Sequence, residues 1–226
     1  MQVIHPDPDE IGIDQLYGVR RERSAERPWV GVVMITSLDG STVVEGRSGG
    51  LGNPTDSSVL GALRRAADVV LVGAGTATSE QYGPPAKAGL RIGVVTRRAS
   101  IDAASELFTS GAGFLVMPED GPPEPPGIDV VRAGRGRVDV RAAVSRLGTV
   151  VDEPTFVLAE GGPRLNGALL DGDCIDELDL TQSPALVGGD GARVTSGGRP
   201  TFDRYDLVHL ATEDGYLYGR WVRHRR

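Results

Sequence analysis

The chain has 226 residues, enough for one α/β domain with a substantial core. Its 24 basic and 31 acidic residues give a net charge of −7, which excludes the broad basic field that a nucleic-acid backbone or an anionic membrane requires. A single cysteine, Cys174, excludes an intrachain disulfide framework and any multi-cysteine metal site, and the scattered His5, His209 and His224 predict no metal.

Residues 1–27 are polar, with Ile13, Leu16 and Tyr17 at helical spacing before the charged run RRERSAER. They predict a short helix and linker ahead of a single domain over 28–226. The opening MQVIHPDPDEIGID has neither a basic start nor an apolar core, and no apolar run approaches ~18 residues, which predicts a soluble, cytoplasmic protein.

From Pro28 onward, short apolar runs alternate with helical patterns. The predicted strands are WVGVVMI (29–35), DVVLVG (68–73), RIGVVT (91–96), GFLVM (113–117), TFVLA (155–159), ELDLTQ (177–182), LVHLAT (207–212) and YLYGRWV (216–222). Helical candidates fall at about 55–66, 101–108, 138–147 and 163–170. Continuous apolar strands separated by helices predict a mostly parallel sheet covered on both faces. The last two strands join through Glu213, Asp214 and Gly215, a hairpin signal that adds an antiparallel edge. GPPEPPG (121–127) predicts a Pro-rich loop, GGDGARVTSGGRP (188–200) a Gly-rich surface loop, and RWVRHRR a solvated basic terminus.

Three segments carry possible chemistry. In VVLVGAGTATSEQYG, Gly73 and Gly75 follow a buried strand like the first glycines of a dinucleotide-binding turn, although Thr78 stands at the third position. The next strand ends on Thr96, Arg97 and Arg98, where an NAD enzyme offers an acid. A hydroxyl and two guanidinium groups suit the 2′-phosphate of NADPH, or two arginines simply solvated on a loop.

In LAEGGPRLNGALL, Gly161 and Gly162 stand at a strand-to-helix corner with Pro163 at the first helical position. Free amides there suit a pyrophosphate, with Arg164 adding charge, and the same glycines also suit close packing. In Met34 to Asp68, an Asp39-Gly40 turn with Ser37 is followed by a Gly-rich run, Asn53 and a helix carrying Asp56 in its first turn. That run suits either a wall for a flat ligand or an ordinary turn.

SLDG at 37–40, LVGAGT at 71–76, EGGPRLNGALL at 160–170 and DELDLTQSPALVGG at 176–189 occur in one order over Pro28 to Val222. Together they resemble the pyrimidine reductase family of riboflavin biosynthesis, the C-terminal domain of the bifunctional deaminase-reductase. The deaminase zinc signatures, HxE and PCxxC, do not occur.

The resemblance implies a dihydrofolate-reductase-like three-layer α/β/α fold, and NADPH bound with Gly73, Ala74, Gly75 and Thr76 and with Glu160, Gly161, Gly162, Arg164 and Leu165 at its pyrophosphate. It implies a substrate pocket of Ser37, Asp39, Asn53 and Asp56, joined by Tyr82 and Arg91, with Asp39 and Ser37 as the catalytic pair. The implied reaction is that of a 5-amino-6-(5-phosphoribosylamino)uracil reductase, hydride transfer from NADPH to ribosyl C1′ that opens ribose to ribityl. Dihydrofolate or pterin reduction on the same fold, and an NADP-binding module without catalysis, are the alternatives. A homodimer is implied too, with Tyr216, Tyr218 and Trp221 as its expected interface. Two family positions differ: the lysine before SLDG falls on Val33, and an Asp-Pro-x-Leu-Thr-x-Arg run is replaced by QYGPPAKAGLRI, where Lys87 and Arg91 stand.

Overall fold

The run Val69–Gly73 forms β4, buried on both faces, as a β-branched stretch in a parallel sheet must be. The computed structural model, which describes residues 1–5 and 9–224, sets it near the middle of one eleven-stranded sheet. Its parallel neighbours are β3 (Trp29–Thr36), β5 (Arg91–Val95), β6 (Gly113–Met117), β7 (Val130–Arg132), β8 (Phe156–Ala159) and β9 (Glu177–Gln182). An antiparallel half holds β1 (Gln2–His5), β2 (Asp9–Glu10), β10 (Tyr205–Glu213) and β11 (Tyr216–Arg223). The full order is β2-β1-β10-β11-β9-β3-β8-β4-β5-β6-β7.

All eight predicted strands are present. The β10–β11 hairpin turns at Asp214 and Gly215, whose φ values of 51° and 81° are the paired left-handed geometry that an Asp-Gly turn supplies. Three short strands and a helix were not predicted: β1, β2 and β7 are too short or too polar to show alternation, and α3 (Ala74–Ser79) begins inside the glycine turn.

Helices cover both faces. α1 (Ile13–Tyr17), α2 (Pro54–Ala66) and α4 (Glu106–Thr109) lay Tyr17, Leu63 and Phe108 against one face. α5 (Val140–Ser145) and α6 (Pro163–Asp171) lay Val144, Leu165 and Leu169 against the other. α4 is a single turn where a helix over 101–108 is expected, and α5 passes into a 3-10 turn at Leu147–Thr149.

Residues 1–27 are integral to the domain rather than a linker extension. β1 pairs with β10, and the charged run supplies two buried cations. Arg21 Nη2 donates to Glu177 Oε1 at 2.5 Å, and Arg27 Nη1 to Asp176 Oδ2 at 2.5 Å. The basic tail is also used: Trp221 is half-buried, Arg220 pairs with Glu177 at 3.0 Å and Arg223 with Asp203 at 3.1 Å. Arg225 and Arg226 lie outside the described residues.

Candidate active site

The strands β3, β4, β5 and β8 all point their carboxyl ends at one edge of the sheet, where open α/β sheets bind ligands. Two cavities meet there. The larger, of about 880 Å³, runs past the starts of α3 and α6 and the end of β5. It gathers Gly73, Ala74, Gly75, Thr76, Thr96, Arg97, Arg98, Gly162, Arg164 and Leu165, ten of the twelve expected cofactor residues.

The glycine corner shows why nothing larger stands there. Gly161 has φ +84°, and its carbonyl accepts from the Gly73 amide at 2.7 Å, tying β8 to β4. A Cβ on Gly162 would come within 2.6 Å of Thr76 Oγ1. The two helix starts are thereby held side by side. Pro163 has no amide, and among the described residues no carbonyl accepts from the Arg164 amide, so the N-terminus of α6 keeps free donor capacity toward the cavity.

Arg97, Arg98 and Arg164 are exposed, and among the described residues none has a hydrogen-bonded or ionic side-chain partner. Arg137, from the β7–α5 loop, lines the same cavity and was not predicted. Size, free amides and four cations fit a dinucleotide phosphate.

The smaller cavity, of about 190 Å³, is walled by Val33, Met34 and Ile35 of β3, by Thr42, Val43, Gly46 and Ser48, and by Asp56, Glu80, Tyr82 and Glu160. It shares Thr76, Ser79, Gly162 and Pro163 with the larger one. Glu160 therefore faces this cavity rather than the expected cofactor side. Arg64 grips its carboxylate through Nε at 2.7 Å and Nη2 at 2.6 Å, and Tyr82 Oη donates to it at 2.5 Å. Burial, then the adjacent Glu160 carboxylate, push the Tyr82 hydroxyl above its ordinary range, so it stays a donor. Asp56 lies at the cavity wall, raised above its ordinary value by burial and opposed by a hydrogen bond from Thr181.

Three expected residues fall elsewhere. Asn53 caps α2, accepting from the Asp56 amide at 2.8 Å and from Tyr218 Oη at 3.0 Å. Arg91 begins β5 at the opposite edge of the sheet, where it pairs with Asp129 at 2.8 Å. Tyr218 is fully buried on Asn53, not an exposed interface residue.

Ser37 and Asp39 line neither cavity. The Ser37 hydroxyl donates to Asp39 Oδ1 at 2.5 Å, and Asp39 accepts the amides of Val187 at 3.2 Å and Gly188 at 2.6 Å. These bonds, the serine's first, hold Asp39 down at about 2.

The pair thus pins the segment 183–200, which is no plain surface loop. Thr42 holds Ala192, Asn166 Nδ2 donates to Val194 O at 2.8 Å, and the Ser196 amide donates to Pro163 O at 2.9 Å. The segment straps the carboxyl edge, placing Ala192 and Ser196 against the larger cavity. Arg64, Thr42, Ser48 and Glu80 had no sequence signal, because each gains its role from a partner or wall distant along the chain. Among the described residues no three potential metal ligands converge.

The model of the RibD C-terminal domain matches residues 28–215. The chain belongs to the RibD C-terminal domain family. It is accordingly an oxidoreductase of the pyrimidine reductase family with a dihydrofolate-reductase-like fold. The 2,5-diamino-6-ribosylamino-4(3H)-pyrimidinone 5′-phosphate reductase of Methanothermobacter thermautotrophicus is 27% identical over 207 residues, covering 85% of this chain and 94% of that one. A pyrimidine reductase-like protein of Corynebacterium diphtheriae superposes with TM-score 0.81 at 22% identity, covering 96% and 100% of the two chains. Dihydrofolate reductase of Enterococcus faecalis, complexed with NADP(H) and RAB-propyl, superposes with TM-score 0.54 at 13% identity over 87% and 97%. The strap and the two helix starts are thus parts of a RibD-type reductase domain.

Proposed function

We propose that this RibD-type domain is an NADPH-dependent reductase of a ribosylamino-pyrimidine, acting across the junction of its two cavities. The observation that carries this reading is the shared wall of Thr76, Ser79, Gly162 and Pro163, which joins a long cationic cleft to a small acidic pocket. When bound, NADPH supplies the hydride. The Arg164 amide and side chain hold its pyrophosphate at the start of α6, and Thr96, Arg97 and Arg98 take the 2′-phosphate.

The ring of the substrate enters the smaller cavity, where Asp56, Glu80 and Glu160 accept from its ring and exocyclic N–H groups. Reduction at C1′ opens the ribose to ribityl and consumes one proton. Asp56, whose burial favours its protonated form, holds that proton at its carboxyl. The chain's own contribution is orientation: the corner at Gly161 and Gly162 sets the distance between the two bound molecules. Ser37 and Asp39 act at one remove, through the strap.

We further propose a cytoplasmic homodimer. No described helix is long and apolar enough to cross a membrane. Leu178, Leu180, Leu217 and Trp221 share one half-buried apolar face of β9 and β11, which suits a second copy.

The test is oxidation of NADPH by the purified chain with 2,5-diamino-6-ribosylamino-4(3H)-pyrimidinone 5′-phosphate, run beside dihydrofolate. Faster turnover of the ribosylamino-pyrimidine supports the proposal. Faster turnover of dihydrofolate moves the substrate to a pterin, and stoichiometric NADPH binding without oxidation of either leaves a binding module.

A further inference from the structure

The smaller cavity is acidic: Asp56, Glu80 and Glu160 line it, and no lysine or arginine does. Most basic side chains around it are committed elsewhere. Arg64 is held by Glu160, Lys87 Nζ donates to Ala67 O at 2.6 Å, Arg91 stands at the opposite edge, and Arg164 lines the larger cleft.

Arg47 differs from all of these. It stands between Gly46 and Ser48, both of which line the cavity. Its own side chain is exposed and has no hydrogen-bonded or ionic partner among the described residues. The backbone beneath it is fixed. Val44 and Arg47 exchange amide-to-carbonyl bonds of 2.8 and 3.0 Å, closing the turn. Ser48 donates through its amide at 3.0 Å and its hydroxyl at 3.1 Å to Glu80 Oε1, anchoring the turn to the cavity wall. An exposed, unpaired guanidinium is thereby carried on a fixed turn whose flanking residues, Gly46 and Ser48, line an acidic pocket.

The volume decides which part of a substrate meets it. About 190 Å³ is below the ~300 Å³ at which ordinary small-molecule sites begin, so the pocket accommodates a ring and leaves the 5′ end of an attached sugar at the rim. A guanidinium matches a phosphate bidentately.

Resting on the reductase reading of this same site, we propose that Arg47 is a specificity-determining residue that takes the terminal phosphate of a phosphorylated ribosylamine substrate. Val33 carries no charge, and Lys87 and Arg91 are bonded elsewhere, which leaves the turn at Arg47 as the source of a free cation beside the cavity.

The test compares the wild type with Arg47→Ala and Arg47→Lys. The probes are 2,5-diamino-6-ribosylamino-4(3H)-pyrimidinone 5′-phosphate and the nucleoside made from it by phosphatase treatment. Loss of a charge-assisted contact should raise KM for the nucleotide about tenfold or more in Arg47→Ala, with kcat within about twofold, an intermediate KM in Arg47→Lys and an unchanged KM for the nucleoside. Equal KM values of the wild type for nucleotide and nucleoside overturn the proposal, as does an unchanged nucleotide KM in Arg47→Ala. If the wild type reduces neither probe, the reductase reading of the substrate fails and the proposal with it, a result distinct from an active enzyme indifferent to Arg47. NADPH binding of the variants, measured by calorimetry, should match the wild type, because Arg47 lies outside the cofactor cleft.

Discussion

Arg64 and Glu160, 96 positions apart, form a two-point ion pair with distances of 2.7 and 2.6 Å. It joins the last turn of α2 to the residue that closes β8, and it fixes one wall of the acidic cavity. Tyr82 Oη completes the arrangement by donating to the same carboxylate.

Replacing Glu160 by Gln leaves the Arg64 guanidinium without its charge partner. The charge-assisted bonds lost are worth about 2 kcal/mol in all, because Arg64 is partly solvated while Glu160 is not. For a chain of this length that lowers Tm by roughly 5 °C. Turnover should fall more than tenfold as the cavity wall loosens, while NADPH affinity changes by less than about threefold. Calorimetric melting and steady-state kinetics of the same preparation check both statements.

Asp39→Asn should loosen the strap over 183–200. The ionised carboxylate accepts the Val187 and Gly188 amides, and an amide side chain accepts them less well. Limited proteolysis should cut the variant within this segment faster than the wild type, and turnover should fall while NADPH still binds. Since the folded carboxyl is held down at about 2, this contribution is present above the unfolded value near 3.9 and disappears as pH falls toward 2. Unchanged turnover in the variant removes Asp39 from any role in the site.

Asp179 is buried beside Glu177, and no donor reaches either of its oxygens. Burial first, then the Glu177 carboxylate, raise it well above its ordinary value. A raised folded value means that this group's contribution is fully present below about pH 3.9 and is lost as pH rises toward the folded value. Asp179→Asn removes that loss. Denaturant melts should show a gain of about 1–2 kcal/mol at neutral pH and a flatter fall in stability above pH 4.

His209 acts in the opposite direction. It is buried edge-on against Tyr17 at 4.9 Å, and burial, reinforced by Arg220, lowers it to about 4. Its neutral form stabilises the fold above pH ~6.5, and that contribution is lost as pH falls from about 6.5 toward 4. His209→Phe should therefore lose less stability over that interval than the wild type, as followed by thermal melts in a buffer series.

Much of this architecture is legible in the residues themselves. Short apolar runs such as VVLVG and GFLVM signal buried strands, and Asp214-Gly215 signals a tight hairpin, as the structure has them. The glycine corner and Thr96 to Arg98 are readable because anion binding needs backbone amides and fixed cations near strand ends. The acidic cavity is not readable in this way. Glu80, Arg64 and Ser48 are ordinary surface residues in sequence, and they become a site only when β3, β4 and β8 bring their segments to one edge. Arg91 shows the converse: near the family's arginine in sequence, it lies at the opposite edge because the strand begins rather than ends there. Ser37 and Asp39 lie in the motif yet face the strap, a distinction set by hydrogen-bond partners about 150 positions away.

The most direct measurement is a pair of calorimetric titrations, with NADPH and with NADH, on the wild type and on an Arg97→Ala/Arg98→Ala variant. NADPH should bind with at least a tenfold preference over NADH, about 1.4 kcal/mol, and the variant should lose most of that preference. Equal affinities for the two dinucleotides would contradict the assignment of the 2′-phosphate, and no binding of either would contradict the reductase itself.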